Sequence, residues 1–152
     1  MTLSAQAIFA TAPLGAIVHF ANGEPRPPAH HKRKLRAWED RNGKGRLTRR
    51  SPGGERYPAD FTLHLGNLGE AGAIVLSVSR SFQVTSESTF QIEQVPSAGQ
   101  ALVVTEFAGR IELQHVANDR ASAEAWLTEH RYHNARIEIV EPTAAEPSLA
   151  PT

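Results

Sequence analysis

The chain contains no cysteine, which excludes disulfide staples, thiolate nucleophiles and Cys-based zinc sites. No apolar run approaches the roughly 18 residues that mark a membrane span. The most apolar early stretch, AIFATAPLGAIVHFA at 7–21, is broken by Pro13 and Gly15. It also lacks the basic lead of a secretory signal. A cytoplasmic protein without membrane contact is the expectation. There is no G-x-S-x-G elbow and no G-x-x-x-x-G-K-[ST] loop, and NGKGR at 42–46 follows no expected strand. No cofactor motif and no internal repeat is visible.

What is present is charge, unevenly placed. The formal net charge of the 152 residues is zero. Residues 26–56 nevertheless carry eleven Lys or Arg against three acids, an excess of eight. Outside them five arginines face thirteen acids, and all three lysines (Lys32, Lys34, Lys44) lie inside the block. Such segregation predicts a polyanion-facing element on an acidic body.

With 40% apolar and 21% charged residues, the composition is that of a globular protein. A strand is expected over Leu14–Phe20, ended by ANGEPRPP, where Pro25, Pro27 and Pro28 form a stiff lead-in. Ala29–Arg41 has good helix formers and a stop at Asn42-Gly43, with Leu35 and Trp38 sharing one face. Arg46–Arg50 reads as a brief exposed strand. FTLHLG at 61–66 alternates apolar and polar residues. Residues 72–84 read as a strand with Ile74, Leu76 and Val78 on one side. Phe90 and Ile92 mark a strand returning from it.

A hairpin is expected over 101–116, turning at Ala108-Gly109. One helix follows, capped by Asn118 or Asp119, with Ala123, Trp126, Leu127 and His130 as its packing stripe. Asn134 ends it before a last strand, Arg136–Val140. The fold class is α+β, a mainly antiparallel sheet with a C-terminal helix packed on it and a basic N-terminal helical appendage. A β-barrel is the alternative. A single domain spans 1–141, with the basic segment at 25–56 within it. The Pro-, Ala- and acid-rich residues 142–152 read as a disordered tail.

The basic segment is the candidate site: Lys32, Arg33, Lys34, Arg36, Trp38, Arg41, Lys44, Arg46, Arg49 and Arg50. Clustered cations bind DNA or RNA by releasing condensed counterions, and Trp38 can stack on an exposed base if it is not buried with Leu35. Docking on an acidic protein partner, or self-association, competes with that reading. No catalytic or metal residues are assigned. His30 and His31 diverge as neighbours; His130 and His133 lack a spaced ligand set. A small nuclease would have to combine Glu93, Glu106 or Glu112 with Arg80 and His64 or His115, which no spacing compels. The expected function is non-enzymatic binding of nucleic acid through residues 26–50.

Overall fold

The computed structural model describes residues 2–70 and 73–142. The tail expected at 143–152 and the side chains of Ile74 and Leu76 lie outside what is described. The fold is α+β, and the strand pairings within each of two compact units, residues 1–95 and 96–152, are antiparallel.

The first unit runs α1 (Ala5–Thr11), β1 (Ile17–Ala21), α2 (Lys32–Arg41), β2 (Gly43–Ser51), β3 (Asp60–Glu70), β4 (Ala73–Gln83) and β5 (Thr89–Gln94). The order across its sheet is β4-β3-β2-β1-β5. Four phenylalanines explain its shape. Phe82 on β4 lies 5.1 Å from Phe90 on β5, ring centre to ring centre, although three strands separate them in that order. Phe61 bridges the pair at 5.7 and 5.4 Å, and Phe20 adds another contact to Phe82 at 5.1 Å. Only a strongly curled sheet brings its two outer strands together this way, and the right-handed twist of strands supplies the curl. Val18, Leu47 and Leu63 fill the concave side, and α1 closes it through Ala5, Ile8 and Ala12.

Helix α1 is absent from the expectations above. Its apolar residues Ala5 and Ile8 and the C-cap Ala12 recur at helical spacing, and Ser4 caps it by accepting the Ala7 N–H at 3.2 Å. The strand expected to return along β4 also pairs differently: β5 bonds to β1, with Phe20 opposite Phe90.

The second unit is β6 (Ala101–Phe107), β7 (Arg110–Ala117), α3 (Arg120–Glu129) and β8 (Ala135–Ile139). Ala108 (φ 52°) and Gly109 (φ 79°) turn β6 into β7. Positive φ at both central residues is what a two-residue hairpin with matching twist demands. β8 pairs with the other edge of β6. Asp119 caps α3 by accepting the Ser122 N–H at 2.8 Å, a bond that holds its carboxyl below the usual range. Helix α3 packs on the strands through Ala123, with Trp126, Leu127 and Ile137 partly buried around it. His130 is not part of this face. It lies beyond the last helical residue, exposed, stacked on Trp126 at 4.1 Å.

The two aromatic environments should separate on truncation. Phe61 has no exposed surface, so Phe61→Ala should cost about 3–5 kcal/mol. Half-buried Trp126 should cost less on Trp126→Ala, about 1–3 kcal/mol. Urea denaturation of both variants checks the order; a costlier Trp126→Ala would contradict it.

Candidate binding surface of the basic segment

The basic segment divides into a helix and a strand with different duties. Helix α2 begins after His31 without a side-chain cap, and none of its residues is buried. Two half-buried side chains tie it down. The Trp38 indole N–H donates to the Glu24 carbonyl at 2.8 Å, and Arg26 stands over the ring at 5.9 Å. Asn42, just past the helix, donates to the Trp38 carbonyl at 2.8 Å and to Asn22 Oδ1 at 3.0 Å, and accepts the Asn22 N–H at 3.2 Å. Lys32, Arg33, Lys34, Arg36 and Arg41 are all exposed. Among the described residues no carboxylate forms an ion pair with any of them.

Three of those cations sit in the first turn, which carries no acid. There the helix dipole opposes positive charge, a cost of about 0.3–1 kcal/mol for each exposed residue. Helix stability does not account for that placement.

On β2 the arginines bond to neighbouring groups of the first unit. Arg46 donates to the Gly15 carbonyl at 2.8 Å. Arg50 donates to the Ala12 carbonyl and, at 3.5 Å, to that of Phe9, so it caps the carbonyl end of α1. Burial pushes the guanidinium pKa of both Arg46 and Arg50 down. Arg49 reaches Thr62 Oγ1 at 3.4 Å, while its buried Nε has no hydrogen-bond partner among the described residues. Lys44 is exposed and lies 3.5 Å from Glu93, which also meets His19 Nε2 at 3.2 Å. The ten residues expected to act together are therefore not one surface. Five helical cations point to solvent, and the three arginines of β2 hold strands and α1 in place.

Two concavities adjoin the segment. A groove of about 390 Å³ is lined by Trp38, Phe20, Phe90, Asn42 and Gln91 among others. A hollow of about 430 Å³ is lined by Lys44, Arg46, His64, Glu93, Ile17 and Leu65 among others. Sequence reasoning missed both, because each draws on strands far apart in the chain.

Within the first unit, the residues weighed for a nuclease are not all gathered. His64 and Glu93 share the hollow, but Arg80 stands over Phe20 and Phe82 at 5.7 and 5.4 Å, on the core side of β4. His115 stacks on Trp126 at 4.7 Å in the second unit. There too Glu106 pairs with Arg136 at 2.8 Å. Among the described residues no group of three or more His, Asp or Glu is placed to hold a metal ion, and no helix is long and apolar enough to cross a membrane.

The hydrogen bond from His19 is the main reason that the Glu93 carboxyl is held below the usual range, with Lys44 adding to it. A carboxyl depressed in the folded state stabilises the fold above its unfolded pKa, and that contribution is lost as pH falls through the folded value. His19→Ala should therefore move the Glu93 carboxyl titration, read by NMR, up toward the ordinary range. A titration that stays where it was would remove His19 as the cause.

The family model described as uncharacterised conserved protein UCP036055 matches residues 3–144, and the chain belongs to that family. No curated protein and no solved structure matches it.

Proposed function

We propose that this member of the family is a non-enzymatic nucleic-acid-binding protein whose contact element is α2. The observation that supports the reading is a helix with no buried residue that presents Lys32, Arg33, Lys34, Arg36 and Arg41 to solvent, without carboxylate partners among the described residues. Cations so placed neutralise backbone phosphates and gain affinity from the counterions released. Phosphates near the first turn would also offset the unfavourable dipole there. Half-buried Trp38 lines the adjoining groove, where an unpaired base could meet its indole. Lys44 extends the cationic track past the helix end. Arg46, Arg49 and Arg50 bond within the first unit and are not part of the contact element. A cysteine-free chain suits a cytoplasmic setting for such contacts.

The test is an anisotropy titration of labelled single-stranded DNA, duplex DNA and RNA across a range of salt. Binding should weaken with a log–log slope of about −0.7 per phosphate contacted on a single strand and −0.9 on a duplex. The triple variant Arg33→Gln, Lys34→Gln, Arg36→Gln should keep its melting temperature and flatten the slope by about 1 per residue. A folded triple variant that binds as the parent does would overturn the reading. Binding to no nucleic acid, with retention on an acidic polypeptide, would favour the docking of α2 on a protein.

A further inference from the structure

The hollow on the convex side of the first unit's sheet has a construction that the folding of the sheet does not require. Strand alternation sends Val18, Leu47, Leu63 and Phe90 into the core. Ile17, His19, Lys44, Arg46 and His64 stand on the other side, with Ile17 opposite Arg46, His19 opposite Lys44 and Arg46 opposite His64. Two β-bulges adjust this face. On β5 the register passes from Gln94 opposite Ile17 to Ile92 opposite Val18, which leaves Glu93 as the extra residue. On β3 it passes from His64 opposite Ser79 to Gly66 opposite Val78, which leaves Leu65 as the extra residue. Both extra residues line the same hollow. Bulges re-aim side chains and are over-represented beside functional sites. Gly45 lets β2 and β3 approach closely at this point: a Cβ there would lie 2.8 Å from Leu65 Cδ2 and 2.9 Å from the His64 carbonyl oxygen.

We propose that this hollow binds a small phosphomonoester, with Arg46 and Lys44 as the phosphate-binding cations, His64 beside them, and Ile17 and Leu65 against the organic part. The charge balance points to an anion. Lys44 and Arg46 face a single carboxylate, Glu93, and that carboxylate is engaged by His19 and Lys44. The Arg46 guanidinium donates to a neutral carbonyl and has no carboxylate partner among the described residues. Burial already lowers its pKa, so the cation bears a desolvation cost that an anion in the hollow would offset. The guanidinium's planar fork suits phosphate oxygens, and Lys44 adds a mobile point charge. At about 430 Å³ the space falls within the range of small-molecule sites. Lys44 and Arg46 outnumber Glu93 in the lining, and that net positive charge attracts the dianion of a monoester more strongly than the monoanionic diester of a nucleic-acid backbone. In this arrangement Glu93 is the resident counter-ion, which releases Lys44 when the ligand arrives. The site does not depend on α2.

Phenyl phosphate, inorganic phosphate and dimethyl phosphate, titrated into the ¹⁵N-labelled full chain, test this. Phenyl phosphate should give saturable shifts centred on Lys44, Arg46 and His64. It should bind more tightly than inorganic phosphate and about tenfold or more above dimethyl phosphate. Lys44→Gln, at an exposed position, should weaken binding about tenfold; Arg46→Lys should weaken it while keeping the charge. Glu93→Gln should move the other way and tighten it. The triple α2 variant should bind phenyl phosphate unchanged. The proposal falls if no shift saturates, or if phenyl phosphate binds no better than inorganic phosphate or the diester. It also falls if folded Lys44→Gln and Glu93→Gln variants both bind as the parent does, or if the α2 variant loses the ligand.

Discussion

The contact between Phe82 and Phe90 sets the geometry of the first unit. Bringing the Phe82 and Phe90 rings, from the outermost strands β4 and β5, to 5.1 Å between centres forces the sheet between them to curl. A curled sheet has one apolar concave face and one convex face, and alternation then decides the side of every strand residue. The convex side receives His19, Lys44, Arg46 and His64 because Val18, Leu47 and Leu63 must go to the other. The groove is lined by residues of both faces, His19 as well as Phe20 and Phe90, while most of the hollow's lining comes from the convex one.

The same curl explains why arginines of one basic block have unlike roles. Those of β2 arise where the strand passes close to the end of α1 and to β3, so Arg46, Arg49 and Arg50 find carbonyls and a hydroxyl within reach. Helix α2 is tied instead to the loop at 22–26. Trp38 and Asn42 take its backbone groups and leave the lysines and arginines to water. Cationic density along the chain is therefore a poor measure of cationic surface. A guanidinium bonded to the end of a helix is a structural cap, whatever its neighbours in sequence.

Features legible in the sequence were those fixed by neighbours along the chain. Asp119 as the cap of α3, Ala108-Gly109 as a hairpin turn, Leu35 and Trp38 on one face of α2, and the α+β class all depend on spacing within a few residues. Helix α1 was also legible in principle, from Ser4 and the spacing of Ala5, Ile8 and Ala12, but Pro13 and Gly15 close behind give the stretch the look of a strand and its turn. Pairing was not legible. That β5 joins β1 depends on Phe90 meeting Phe20 and Phe82, and residues 84–88 give no sign of it. The bulges at Glu93 and Leu65 are likewise properties of two strands in register. No single strand carries a mark of them, so the hollow they shape was hidden.

Helix α2 is the least secure element by its own physics. Ten residues are too few for a stable isolated helix, and no residue of this one is buried. His31 supplies no side-chain cap, and Lys32, Arg33 and Lys34 oppose the dipole at the same end. Its attachment is concentrated at the other end, in the Trp38 indole bond and the Asn42 amide bonds. The consequence is a gradient along the helix, firm at Trp38 and loosest where the cations are densest. An anion near the first turn would relieve the repulsion and meet the free N–H groups there. Ordering of that turn and binding of a polyanion would then be one coupled equilibrium, with the cost of ordering deducted from the affinity.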